Sequence, residues 1–389
     1  MSDLTTRYRP LVLLVCMVAL CAFPIRILID GYTPGSGFLG LLYFGQEFEN
    51  SLLPEVRELS PVVSSQWGYD GQFYAQLALH PTLQDDALVQ ALDYPIIRSR
   101  RIGLPFLAFC LGLGRTTWIL QIYALLNFGF WLLLLVAIIR CVGHHRLRDF
   151  LLAIALLWST GTLTSVTRAL LDLPAAVLGV LAVFSGSRWI VASVLLAAAG
   201  LVRETSILSF PAVALRKSPR GYDVKRLLMS TLIMMLPMGL WYVYVHVRLP
   251  SGTTIVARDL AFPLSGIVYK LSNSFHSVAT GWAGASISQR VTLLFEVLCP
   301  LSLMIQALYL TAKPRLSSTA WRYGIGFVIL LCFLGQRMWQ EQYAYCRALL
   351  PLTFSFNLVI HKHESGTRFV TWYLLGNVGM CWLVLRLLL

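Results

Sequence analysis

Residues 116–141 read TTWILQIYALLNFGFWLLLLVAIIRC, a run whose only charged side chain is Arg140. A helix needs about 20 mostly apolar residues to cross a bilayer, so this segment is predicted to span one. Outward from it, further apolar runs occupy roughly 11–30, 150–167, 169–186, 188–202, 206–215, 227–248, 291–312, 322–338, 347–360 and 369–389, with a shorter one at 102–114. The composition agrees. Of 389 residues, 57% are hydrophobic and 13% charged, where a soluble domain carries about 25% charged residues. Mean hydropathy is +0.70. No water-soluble fold of this size could hide so much apolar surface. The expected architecture is a single integral membrane domain over 1–389, all-α and polytopic, with about ten or eleven spans.

Loop charge sets the expected orientation. The net charge is +13, but the basic residues lie in short loops between apolar runs, where they orient a membrane protein rather than bind nucleic acid. His144-His145-Arg146-Leu147-Arg148, Arg216-Lys217 through Lys225-Arg226, Lys313-Pro314-Arg315 with Arg322, and Lys362 with Arg368 are assigned to the cytoplasm. Arg7-Tyr8-Arg9 precedes the first run without a small-x-small cleavage site, so that run reads as an uncleaved signal anchor with a cytoplasmic N-terminus. The stretch 32–101 holds Glu47, Glu49, Glu55, Glu58, Asp70, Asp85, Asp86 and Asp93, and becomes a large extracytoplasmic loop with juxtamembrane helices, among them the helix-like Gly71–Leu79 before Pro81. A second such loop is expected over 249–290. The run 102–114 is too short to span and is placed in the interface. The eight cysteines show no CxxC pairing and read as small apolar residues. His361 and His363, in a basic loop, make a weak metal site.

With this topology the unexpected polar residues fall on one side. They are Asp70 within Trp67-Gly68-Tyr69-Asp70-Gly71-Gln72-Phe73-Tyr74, then Arg98, Arg100 and Arg101, Arg168 and Asp172, Arg203 and Glu204, and Gln340, Glu341 and Arg347. Charges at membrane depth point to function by default. Each also has a plainer explanation. Asp70 suits a helix N-cap as well as a base. Arg98, Arg100 and Arg101 suit headgroup anchoring. Arg168 and Asp172, four apart, suit a helical ion pair. The aromatics around Asp70 suit interface packing. Arg203 and Glu204 are consecutive, point to different faces, and suggest two short helices meeting at a polar break.

An outward carboxylate beside a membrane is placed to take a proton from an acceptor hydroxyl. Arginines at headgroup depth present planar forks suited to a lipid-linked phosphate. Together they describe group transfer from a lipid-phosphate carrier.

Tyr69-Asp70-Gly71-Gln72-Phe73-Tyr74-x-x-Leu77-Ala78 and Arg100-Arg101-Ile102-x-Leu104-Pro105 resemble segments of bacterial multi-pass membrane proteins linked to cell-surface glycopolymer formation. So do Leu201-Val202-Arg203-Glu204-Thr205 and Ala344-Tyr345-x-Arg347-x-Leu349-x-Pro351. More distantly, Asp70-Gly71 is similar to the aspartate motif of GT-C glycosyltransferases, with PIG-V-like mannosyltransferases the nearer comparison. The resemblance implies an inverting transferase of the inner (cytoplasmic) membrane, using a polyprenyl-phosphate-sugar donor and a glycan, lipid or protein acceptor. It implies Asp70 as the catalytic base and Arg203, Arg347, Arg100, Arg101 and Arg168 at the donor phosphate. Glu204, Asp172, Glu341, Gln72 and Tyr74 would orient these groups or the sugar. A divalent metal stays open, and Asp30, directly after the first apolar run, competes with Asp70. The rivals are a transporter or flippase for a lipid-linked saccharide and a non-catalytic subunit of a glycopolymer assembly complex. A transporter would carry polar groups through the membrane midplane.

Overall fold

The computed structural model describes residues 15–59, 63–214, 224–249 and 260–388. The Arg7–Arg9 segment, the Arg216–Arg220 loop and part of the 249–290 stretch lie outside them. The regular structure of the described residues is helical apart from one short parallel pairing, Phe44–Gly45 with Val63–Ser65, and two isolated bridges, Thr33 with Gly37 and Leu260 with Leu334. It is an all-α polytopic membrane protein.

Among the described residues, four helices are long and apolar enough to cross a membrane: Thr116–Cys141, Val224–Arg248, Ile287–Ala312 and the Gly366–Arg386 stretch. Leu147–Leu157 and Thr160–Thr167, bent by 49°, make a fifth if taken as one broken span. This is fewer than the ten or eleven runs counted along the sequence. Asp172–Phe184, Trp189–Val202 and Thr319–Phe333 are apolar but short, at about 1.5 Å per residue covering only some 20 Å. Their breaks fall at polar residues.

Lipid-facing surface is plainest on Val224–Arg248. Leu228, Leu232, Leu236, Leu240, Val243 and Val247 recur at helical spacing and are all exposed, an apolar stripe that only a membrane or a partner would cover. Inside the bundle, polar side chains satisfy the backbone where helices break. Thr160 donates to the Met380 carbonyl at 2.8 Å, Thr164 to Thr160 at 2.7 Å and Ser165 to Gly161 at 3.0 Å.

Both regions expected as extracytoplasmic loops contain packed helices, including the one expected after Asp70. Within 32–101, Gly71–Leu79 is a helix buried at every residue, packed against Gly103–Leu111 and Thr116–Cys141. Gln72 and Gln76, one turn apart, accept from the backbone N–H groups of Gly45 (3.0 Å) and Leu53 (2.9 Å). They fasten the surrounding chain to that helix. Within 249–290, Ser265–Gly281 forms a 17-residue helix against Ile287–Ala312; Lys270, Asn273 and His276 had hidden it from a hydropathy count. His361 and His363 end the Leu350–His363 helix rather than sitting in a loop. All eight cysteines are free, with Cys299 and Cys346 buried but Cys110 and Cys141 exposed.

Candidate functional site

Five breaks and helix ends bring the charged residues together. Asp70 precedes Gly71–Leu79. Arg98 and Arg101 come from the Pro95–Arg100 helix and its end. Asp172 opens Asp172–Phe184, where the helix N-terminus favours a negative charge. Arg203 and Glu204 occupy the polar break after Trp189–Val202. Arg347 sits in the last turn of Gln342–Ala348.

Two glycines make these approaches feasible. A Cβ on Gly71 would stand 2.4 Å from the Arg168 carbonyl oxygen, and one on Gly161 would stand 2.5 Å from that of Cys346. The first lets the Asp70 segment close on the 168–172 turn; the second seats the helix that carries Arg347. The Asp-Gly pairing therefore has a packing cause.

Asp70 does not act as a side-chain cap. Its backbone is already helical (φ −52°, ψ −32°) and its carboxylate takes no capping hydrogen bond. Instead it accepts from Arg98 Nη2 at 2.8 Å and Arg347 Nη1 at 3.1 Å. Arg98 also grips Asp93 bidentately, both bonds 2.8 Å. Arg347 continues to Asp172 Oδ2 at 3.4 Å, and Asp172 Oδ1 is paired with Arg203. A chain of alternating charge thus runs Asp93, Arg98, Asp70, Arg347, Asp172, Arg203. Beside it Arg101 forks onto Glu204 at 2.8 and 2.6 Å. The Tyr74 hydroxyl accepts from Arg98 at 3.2 Å and Arg101 at 2.8 Å, joining the two sets.

Four arginines face four carboxylates, so the cluster is formally neutral. Its members differ in access. The Asp172 side chain is 2% exposed and that of Arg347 9%, whereas Asp70 is 29% and Glu204 34% exposed. Asp70 is the reachable carboxylate of the continuous chain. Burial draws its pKa upward, but Arg98 and Arg347 outweigh that and hold it well below the usual carboxylate range. The Nε of Arg347 is buried with no acceptor, which leaves one strong donor to be satisfied.

The remaining candidates lie around this core. Arg168 follows the Thr160–Thr167 helix in a turn where Ala169 is left-handed (φ 48°), so it and Asp172 are not one turn apart on a continuous helix. Its guanidinium lies 4.1 Å from the Tyr69 ring centroid, with Arg347 5.1 Å away over the same ring. The Tyr69 hydroxyl donates to Glu341 at 3.5 Å. Arg100 lies over Tyr242 at 5.6 Å. Gln72 is fully buried and spends its amide on Gly45 N–H and the Trp67 carbonyl, which gives it a scaffolding part. Asp30 is elsewhere, on an exposed helix face with Arg26.

Reading the sequence underweighted Asp93 and Arg98 as the anchor of Asp70. The signal was Asp93-x-Pro95-x-x-Arg98, an acid and a base either side of a proline that starts a helix. It also missed a groove. Pro81, Ile102, Phe106, Leu201, Leu240 and Trp241 line an apolar cavity of about 580 Å³. Two of its wall residues neighbour cluster residues along the chain: Ile102 follows Arg101, and Leu201 lies two residues before Arg203. The Trp241 indole donates to the Ser99 carbonyl at 2.8 Å and fixes that wall.

Among the described residues, no group of three His, Cys, Asp or Glu side chains is placed to hold a metal. Each carboxylate of the cluster is matched to an arginine, a donor set that does not fit a dication. What the arrangement can do is exchange one anion for another: a phosphate can take over arginine donors that carboxylates now occupy. The chain matches no family model, no curated protein and no solved structure.

Proposed function

We propose that this protein is an integral membrane glycosyltransferase of the GT-C type, moving a sugar from a polyprenyl-phosphate donor to a glycan, lipid or protein acceptor outside a bacterial cytoplasmic membrane. The observation that carries the proposal is an arginine–carboxylate network in which Asp70 and Glu204 are accessible, in a fold with an apolar groove whose wall residues Ile102 and Leu201 adjoin the network along the chain. A lipid phosphate needs both parts, an apolar slot for its chain and forked donors for its head. The ordered sequence resemblance supports the same class, and the basic loops support an outward-facing site.

In this scheme Arg347 and Arg203 receive the donor phosphate, with Arg101 and Arg168 at the rim. Asp70 receives the proton of the acceptor hydroxyl as that oxygen bonds to the anomeric carbon. The bond from that carbon to the phosphate oxygen breaks, and the lipid phosphate leaves as an anion stabilised by the arginines. While both Arg98 and Arg347 hold it, Asp70 is a weak base. A phosphate that draws Arg347 away leaves Asp70 with Arg98 and Tyr74 nearby and raises its affinity for the proton. Donor binding would thus switch the base on.

The test is transfer from labelled polyprenyl-phosphate sugars by the full chain in lipid, with Asp70→Asn alongside. Asparagine keeps the acceptor oxygen but cannot take a proton, and losing a general base costs about 10²–10⁴-fold in rate. The variant should fold, bind donor and lose transfer by that factor. Unchanged transfer by Asp70→Asn would remove Asp70 as the base. Movement of intact lipid-linked sugar across the bilayer by the wild type, without transfer, would favour the flippase.

A further inference from the structure

The helices Asp172–Phe184 and Leu350–His363 each have one end at the charged network, through Asp172 and the neighbouring Arg347. Their other ends, about 20 Å away at 1.5 Å per residue, border a second cavity of about 590 Å³. Arg148, His361 and Lys362 line it, together with Ser317 and Thr319, and no Asp or Glu does. Asp149, beside Arg148 in sequence, is already used. One oxygen meets His361 Nε2 at 2.8 Å and the other accepts the backbone N–H groups of His145 and Arg146 at 3.2 and 3.0 Å. The Nε of Arg148 is buried with no hydrogen-bond partner. The 15-residue Thr319–Phe333 helix starts at the same wall, so its positive N-terminal end, where Ser318 already caps the Trp321 N–H, borders the cavity. Asp149 matches His361 at the edge, but no carboxylate is paired with Arg148 or Lys362 among the residues lining this cavity.

We propose that this cavity is a binding site for a phosphate group, held by Arg148 and Lys362 and the start of the Thr319–Phe333 helix. It stands apart from the proposed transferase reaction and does not depend on it. Two sources offer that chemistry, the headgroup of an anionic lipid in the adjoining leaflet and free inorganic phosphate. A lipid source fits the position at the ends of apolar helices, where basic pockets meet headgroups.

Thermal unfolding of the full chain in phosphatidylcholine nanodiscs separates these cases, with phosphatidylglycerol or inorganic phosphate added in turn. Ser317 and Lys362 are both exposed, so Ser317→Asp and Lys362→Glu put negative charge at the mouth without disturbing packing. The wild type should gain stability saturably with an added phosphate ligand, and each variant should weaken the apparent affinity about tenfold or more. Stabilisation by phosphatidylglycerol and not by inorganic phosphate assigns a lipid headgroup. The reverse assigns free phosphate. No saturable gain with either ligand, or an equal gain in wild type and both variants, overturns the site.

Discussion

Arg26 and Asp30 approach to 2.8 Å, and so do Arg98 and Asp70. The first pair lies four residues apart on an open helix face, its side chains 74% and 56% exposed. The second joins two separate elements of the 32–101 stretch, its side chains 9% and 29% exposed, and is linked onward to Asp93, Arg347 and Asp172. Distance does not separate the two. Water screens the first, and its members hold nothing else in place. Burial makes the second costly to break at any single point, because every removal strands a partner in low dielectric.

The most severe way to test that contrast is Asp172→Ala. Asp172 is the deepest carboxylate and serves both Arg203 and Arg347. Its loss leaves two nearly buried guanidinium groups short of a counter-charge, with an expected cost of about 3–5 kcal/mol. Chemical unfolding of the detergent-solubilised chain measures it. A cost under about 1 kcal/mol, the range of an exposed pair, would put the network on the same footing as Arg26–Asp30.

Arg347 comes next. Replacement by Ala should weaken binding of a polyprenyl-phosphate donor by about 1.5–3 kcal/mol, the range for hydrogen bonds to charged groups. Lys should recover only part of this, since an ammonium cannot present a phosphate with the planar, bidentate fork of a guanidinium. Titration of labelled donor into wild type, Arg347→Ala and Arg347→Lys gives the ranking. Equal affinity in all three would move the phosphate elsewhere in the cluster.

A pH series sharpens the comparison further. The folded pKa of Asp70 is depressed, so its contribution to stability is present above the ordinary carboxylate range and is lost as pH falls through the folded value. Removing Arg347 removes part of that depression. The stability gap between wild type and Arg347→Ala should therefore stay level from about pH 7 down to about pH 4 and narrow only below it. Narrowing that began near neutrality would belong to another group.

How much of this was legible beforehand follows from range. Hydropathy is local, so Thr116–Cys141 and Ile287–Ala312 could be read from their own residues. The helix Gly71–Leu79 was legible too, after Asp70 and before Pro81, but its complete burial was not, because that depends on Gln72 and Gln76 fastening distant backbone. Asp70, Arg203 and Arg347 stood out as charges near apolar runs. Which carboxylate met which arginine depended on helix breaks and on two glycines that admit close backbone approach, and no spacing encodes that. Arg168 and Asp172 illustrate the gap: four apart, they invite a helical pair, but the left-handed Ala169 redirects the chain between them. The groove was missed because its walls come from four separate segments, each unremarkable alone.

The smallest expected effect belongs to Asp30→Asn. Asp30 follows the first apolar run and competes with Asp70 for the base on sequence grounds alone. In the fold it faces outward from Ala22–Gly31 and bonds Arg26. An exposed pair of this spacing contributes about 0.3–0.5 kcal/mol, less at high salt. Asparagine still accepts a hydrogen bond from Arg26, so even that is only partly lost. Stability should change within about 0.5 kcal/mol, and transfer should match the wild type while Asp70→Asn loses it. Measured side by side, the two variants ask whether a carboxylate's neighbours or its place after the first helix decide its role. Loss of transfer in Asp30→Asn with Asp70→Asn active would reverse the assignment, and the buried network would then be scaffold alone.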